Sequence, residues 1–212
     1  VLLDALGRLI DQHRIPRVPI FVDSPMALAA LRVYREAILD GDPEINTATI
    51  AKGVERIHLD ALREAYSPQD SKQLDTPGPK IIVSASGMAS GGRVTHHLKY
   101  FLPHPNNCVL LVGYQAFGTP GQQLRDGARS IRIHGQDIPV HATIVDIEAF
   151  SVHADRDELM EWLGSSREKP SAVYLVHGEP EASQELAEQI QGRLGIPTFP
   201  AEDGASIDVL GR

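Results

Sequence analysis

Residues 80–102 read KIIVSASGMASGGRVTHHLKYFL. KIIVSA is a short apolar strand, SASGMASGG is a run of small residues, and GGRVTHHLKYFL is a helix. The same grammar recurs downstream, with CVLLVG (108–113) as a strand, PGQQLRDGA (120–128) as a short helix, and SIRIHG and IPVHATIVDIE as strands. DRDELMEWLG then reads as a helix, AVYLVHG (172–178) as a strand and EASQELAEQIQGRLG as a long helix. Continuous apolar strands alternating with helices predict an α/β fold whose mainly parallel sheet is covered on both faces.

Upstream, apolar residues at Leu2, Leu3, Leu6, Leu9 and Ile10 have a helical period that Pro16 ends. VPIFV (18–22) is a short buried strand, and DSPMALAALRVYREAIL is a loop and helix with Ser24 at the N-cap and Pro25 in the first turn. Between residues 41 and 79 the pattern is weaker: a helix is expected within VERIHLDALREA (54–65), then a loop ending in DTPGPK.

The 212 residues are 42% hydrophobic and 23% charged, the balance of an ordinary globular protein. No apolar run reaches the roughly 18 residues of a membrane span, and the N-terminus lacks an export signal, so a cytoplasmic protein is expected. The net charge of −8 and pI near 5.5 argue against a surface that coats nucleic acid indiscriminately, while leaving nucleic acid open as a substrate held by a few local groups. The single cysteine, Cys108 in NNCVLLVG, excludes an internal disulfide framework and is expected to be a buried strand residue. The chain starts with Val1 inside an amphipathic segment, which suggests a fragment.

In open α/β sheets ligands gather where parallel strands end, because loops and helix N-termini converge there. Asp23-Ser24, Ser84-Ala85-Ser86-Gly87, Gly113-Tyr114-Gln115 and His177-Gly178-Glu179 all follow apolar strands. In SASGMASGGR, small residues let backbone N–H groups approach an anion, the helix that follows favours negative charge, and Arg93 can add a charge-assisted contact. Phosphate is the natural candidate ligand, although the spacing fits neither the dinucleotide fingerprint nor the P-loop. GYQAFGTPGQQLRDG is similarly glycine-rich, with Gln115, Thr119 and Arg125 as further candidate contacts. His96 and His97 diverge by about 100° on one helix, so at most one faces a given site. His153 in FSVHAD and His177 in LVHGE occupy corresponding positions, each followed by an acidic residue and a helix. Imidazole there suits either metal ligation or proton transfer. A catalytic zinc needs at least three protein ligands, and the chain contains neither HxHxDH nor HExxH.

Taken in order, IPRVPIFVDSPMA, SASGMASGGRVTHHL, GYQAFGTPGQQLRDG, IPVHATIVDIEAFSVHAD and VYLVHGE resemble the β-CASP branch of metallo-β-lactamase-fold RNA-processing nucleases. The resemblance implies a Rossmann-like β-CASP domain over residues 1–147. Residues 148–212 would be the C-terminal segment of a metallo-β-lactamase αββα domain. It implies that His177 is a zinc ligand and that His153 is the catalytic histidine beside the scissile phosphate. It also makes Ser84, Ser86, Arg93, Gln115 and Thr119 candidate RNA-phosphate contacts. The HxHxDH cluster would precede Val1. The expected activity is zinc-dependent hydrolysis of RNA phosphodiesters with two zinc ions in the full-length enzyme, this chain alone being inactive and retaining no zinc. Val152 departs from the small residue usual before the first of these histidines. Expected partners are an RNA substrate and the missing N-terminal metallo-β-lactamase portion, with a homodimer as a candidate assembly and no membrane. A non-catalytic scaffold subunit and a small-molecule metallohydrolase of the same fold are the alternative readings. Severed from its parent domain, the C-terminal segment is expected to expose an apolar face.

Overall fold

The computed structural model describes residues 2–45, 61–150 and 153–207. The chain divides into two compact units, Val1–Ser151 and Val152–Arg212. In the first, α1 (Leu2–Asp11) buries Leu6 and Ile10, one turn apart on one face, against Ile20 of β1 (Ile20–Val22). Ser24 caps α2 (Pro25–Leu39): its hydroxyl accepts from Ala27 N at 3.3 Å, and Pro25 fills a first-turn position that needs no N–H. Leu28 and Leu31 of α2 then pack with Val22.

The strand β1 is central in a parallel sheet of order β2-β1-β3, with β2 at Leu62–Glu64 and β3 at Ile81–Val83. Of the stretch 54–65 in which a helix is expected, residues 54–60 lie outside the described residues; within it Leu62–Glu64 is a strand in register with Ile20–Val22. At Leu62–Glu64 the strand is set by pairing to β1, a tertiary contact that local propensity does not register. After it, α3 (Pro68–Gln73) begins with a capping box between Ser67 and Asp70.

From β3 the chain enters α4 (Arg93–Phe101) and then β4 (Cys108–Leu111), which pairs in parallel with β7 (Thr143–Asp146). Between these lie α5 (Pro120–Arg125) and the antiparallel pair β5 (Ser130–Ile133) and β6 (Gln136–Pro139). The two-residue turn His134-Gly135 closes this hairpin with φ of 47° and 77°. Positive φ at both central positions matches the right-handed twist of the strands. Leu98, Leu102, Leu111, Leu124, Ile131, Ile133 and Ile138 make the core over which these elements close. Cys108 is exposed, correcting the expectation of burial. The side chains of β4 alternate, so Leu111 enters the core while Cys108 and Leu110 lie on the outer face.

The second unit contains α6 (Arg156–Gly164), β8 (Val173–Leu175), α7 (Pro180–Leu194) and β9 (Thr198–Pro200), with β8 and β9 parallel. The strand β9 has no counterpart among the elements expected from sequence; it is short, and two of its three residues, Thr198 and Pro200, carry no strong apolar signal. Asp155 caps α6 in a capping box with Glu158, and Gly195 ends α7 in the left-handed conformation. Met160, Ile190 and Ile196 form the core of this unit. The opposite face of its two strands is open: Tyr174 and Phe199 are cross-strand partners with ring centroids 5.7 Å apart, and both are exposed, as is Val176. Among the described residues no helix is long and apolar enough to cross a membrane.

Leu102 has no exposed surface, and its carbonyl accepts from both His141 N and Ala142 N. Leu102→Ala should cost about 2–5 kcal/mol, the range for a leucine whose cavity cannot collapse, and should lower the urea midpoint of the first unit at unchanged m value.

Candidate nucleic-acid interface and histidine loops

The strand ends of the first unit converge on Asp23, the residue after β1. Its N–H continues the sheet by donating to Val83 O at 2.8 Å, which fixes the carboxylate between β3, α3 and α4. The side chain is fully buried. Ser71 Oγ donates to Asp23 Oδ2 at 2.6 Å, Arg93 donates to Oδ1 at 2.7 Å, and His97 Nε2 lies 2.6 Å from Oδ2. On the other side of the ring His97 Nδ1 is 2.7 Å from Asp75 Oδ1. Ionised carboxylates only accept, so both contacts of His97 are satisfied when each ring nitrogen carries a hydrogen. Arg93 and His97 are four residues apart on α4 and therefore reach Asp23 from one helix face.

Burial raises the Asp23 carboxyl, but the hydrogen bonds from Ser71, His97 and Arg93 together outweigh it and hold the group below the ordinary carboxylate range. Arg93 also donates to Ala65 O at 2.9 Å and Tyr66 O at 2.8 Å. The guanidinium thus ties the end of β2 to the start of α4. Ser84 Oγ donates to Asp23 O at 2.8 Å and anchors the first residue after β3 in the same network.

Residues 84–92 form the turn that this network supports. Ser86, Ala89 and Gly92 have φ of 98°, 55° and 72°, so every third residue is left-handed. Two of these are not glycine, a conformation that side chains resist and that surrounding structure must enforce. Among the described residues the N–H groups of Ser86, Gly87, Met88, Ser90, Gly91 and Gly92 have no acceptor. The N-cap, Gly92, supplies no side-chain bond to α4, and the first turn of α4 contains no acidic residue. N–H groups without acceptors, in a turn that runs into the N-terminus of a helix with no side-chain cap, suit an anion.

The second glycine-rich stretch is fastened to the first. Gln115 is buried, and its Nε2 donates to Gly87 O at 2.9 Å and Gly113 O at 2.7 Å. Gly121 N donates to Met88 O at 2.9 Å. A Cβ on Gly121 would lie 1.7 Å from Gln115 Oε1, so only glycine lets α5 approach this closely. Thr119 caps α5, accepting from Gln122 N at 3.2 Å and donating to Ala116 O at 2.7 Å.

Of the five candidate phosphate contacts, Ser84, Arg93, Gln115 and Thr119 therefore donate to groups within the protein, Gln115 through Nε2 while its buried Oε1 has no partner among the described residues, and the Ser86 hydroxyl has no partner among the described residues. Sequence reasoning allowed one of His96 and His97 to face a site, and His97 is the one that does; it missed Asp75 and Ser71 as members of the network. The available signal was Arg93 and His97 at i and i+4 on a helix following a strand-end Asp. His96 points elsewhere, is exposed and stacks on His134 with ring centroids 4.7 Å apart.

His153 and His177 belong to the second unit. His153 is exposed two residues before the N-cap of α6. His177 is exposed between β8 and the N-cap of α7, with φ of 65°, so its loop turns sharply at the imidazole. Among the described residues no group of three or more His, Cys, Asp or Glu side chains can hold a metal ion. The described residues thus do not by themselves fit a catalytic zinc, which needs three protein ligands.

The Beta-Casp domain profile matches residues 1–124, which include both glycine-rich turns; the chain belongs to the β-CASP family of metallo-β-lactamase-fold RNA nucleases. A second profile, the Zn-dependent metallo-hydrolase RNA specificity domain, matches residues 137–200. Among similar proteins, Ribonuclease TTHA0252 of Thermus thermophilus is 38% identical over 171 residues, covering 80% of this chain and 38% of that protein. Transcription termination factor FttA of Pyrococcus abyssi is 33% identical over 184 residues, covering 78% of this chain and 28% of FttA. The RNase J-like protein of Methanocaldococcus jannaschii is 32% identical over 204 residues, covering 96% of this chain and 46% of that protein. The chain spans less than half the length of these relatives.

Asp23→Asn should lower stability by roughly 3–5 kcal/mol, because it leaves Arg93 and His97 facing a neutral group inside the protein. The folded carboxyl sits below its ordinary value of 3.8, so its contribution is complete above that pH and is lost as pH falls through the folded value. Urea titrations from pH 6 down to about pH 2 should accordingly give the variant a shallower acid limb than the wild type, by up to one proton. Parallel acid limbs would mean that Asp23 titrates alike in the folded and unfolded chains.

Proposed function

We propose that this chain is part of a metal-dependent ribonuclease that hydrolyses RNA phosphodiester bonds in RNA processing or decay. The observation that carries this reading is the set of unpaired N–H groups of residues 86–92 ahead of the uncapped α4, in a chain that matches both family profiles in order. In this reading the N–H groups and the Ser86 hydroxyl take the phosphates of the substrate. Ser84, Arg93, Gln115 and Thr119 act behind them, holding the two turns in shape.

The hydrolytic machinery resides in the complete protein. There His177 is one zinc ligand, with the others contributed from outside the described residues, and two zinc ions are expected. The metal supplies charge stabilisation at the phosphoryl oxygens. His153 delivers a proton to the departing oxygen, a role for which imidazole is suited near neutral pH. This division of labour rests on the match of the two histidines' motifs to the family, and both histidines are exposed on loops of one small unit, open to a substrate or metal. Isolated, the chain is inactive and holds no zinc.

In the complete protein the two histidines should fail differently. His177→Ala should reduce zinc content measured by elemental analysis after dialysis. His153→Ala should keep its zinc and its RNA affinity while cleaving about 10²- to 10⁴-fold more slowly, the usual cost of losing general acid-base help. An RNA with a sulfur leaving group at the scissile position should recover part of the loss in His153→Ala, since that group departs without a proton. If His153→Ala loses zinc, or cleaves ordinary RNA at the wild-type rate, the assigned role is wrong.

A further inference from the structure

The turn after β4 carries two aromatic side chains to which the proposed function gives no role. Tyr114 is 56% exposed and Phe117 is 81% exposed, the largest exposure of any big apolar side chain among the described residues. A lone exposed apolar residue is ordinary, but two aromatics on one rigid turn are not. The turn is held from several sides. Thr119 N donates to Ala116 O at 3.2 Å, Gly118 N donates to Gln122 Oε1 at 2.7 Å, and Gly118 takes a left-handed φ of 79°. Gln115, between the two aromatics, is buried and bound to Gly87 O. Tyr114 and Phe117 are therefore presented by a turn bolted to the loop with unpaired N–H groups.

We propose that Tyr114 and Phe117 form a stacking platform for unpaired bases of single-stranded RNA, whose phosphates are received by the N–H groups of residues 86–92. This rests on the proposed RNA-acting function. The net charge of −8 and the uncharged composition of residues 113–119 favour such a platform. With 28 acidic against 20 basic residues, affinity for a polyanion must come largely from uncharged contacts, and every base offers a π-face to an aromatic ring. Stacking on two rings also makes the site tolerant of sequence and selective for unpaired over duplex RNA, whose bases are already stacked. Because the turn is fixed before binding, little ordering cost is incurred when the bases dock.

The test is equilibrium binding of an end-labelled oligouridylate of about 12 nucleotides, within the usual single-strand site size, to the full-length protein with chelator present to stop cleavage. Phe117→Ala and Tyr114→Ala should each weaken binding by about 5- to 100-fold, the effect of losing one stacked base. Phe117→Trp should bind at least as well as the wild type. Tyr34→Ala, which removes an exposed tyrosine in the middle of α2, should bind normally. An abasic oligonucleotide of the same length should bind weakly to the wild type and should not distinguish it from Phe117→Ala. Thermal melts should show each variant folded with a cooperative transition, so that weaker binding is not a loss of fold. Wild-type affinity in Phe117→Ala and Tyr114→Ala would overturn the platform while leaving the ribonuclease reading intact. Equal losses on abasic and base-containing strands would also overturn it, by showing that the rings contact the backbone. A wild-type protein that binds no RNA would overturn both readings.

Discussion

A carboxylate with no access to water has to be answered by the protein, and in this chain the answer organises the strand ends of the first unit. Asp23 receives Ser71 from α3, Arg93 and His97 from α4, and in its own backbone the hydroxyl of Ser84 after β3. The partners arrive from three parts of the fold, α3, α4 and the end of β3, so the network can close only when these and β1 are all in place. Removing a partner leaves the buried Asp23 carboxylate under-compensated, which is far more costly than never having built the network. The consequence is a stiff seam at the strand ends, where the glycine-rich turn must hold Ser86 and Ala89 in conformations they would not adopt alone.

That stiffness separates two kinds of residue that look alike in a sequence. Arg93, Ser84, Gln115 and Thr119 have the chemistry of phosphate ligands, yet their donors are committed to Asp23, Ala65, Tyr66, Gly87, Gly113 and Ala116. They shape the turns. What the turns then present is mostly backbone: N–H groups without acceptors among the described residues, ahead of a helix without a side-chain cap. A binding surface made of backbone donors is insensitive to side-chain identity and depends wholly on the conformation behind it. This is a physical reason for an acidic protein to concentrate its polar side chains one layer beneath such a surface.

The second unit has a different character. Its core is small, formed around Met160, Ile190 and Ile196, and one face of its two strands presents Tyr174, Val176 and Phe199 to solvent. In the loops that flank α6, β8 and α7 His153 and His177 stand exposed, and among the described residues no metal-binding group of three side chains assembles. The histidines are individually capable and collectively incomplete.

Read by itself, the amino-acid sequence determined the elements whose signals are local. The helix starts at Ser24 and Thr119, the apolar strands at 20–22, 81–83 and 108–111, and the α/β class all follow from caps, turn residues and unbroken apolar runs. The family was legible for the same reason, since its motifs are short contiguous stretches around those turns. The strand at Leu62–Glu64 was not, because its pairing to β1 supplies hydrogen bonds that no local pattern announces. Cys108 looked buried because its strand is apolar, but which face of a strand is covered depends on what packs there. Above all, the sequence could not show that Asp23, Asp75 and His97, separated by up to 74 residues, share one hydrogen-bonded chain. Only tertiary structure decides that, because a buried charge is defined by the groups that surround it in space, and those groups come from distant segments that the fold alone brings together.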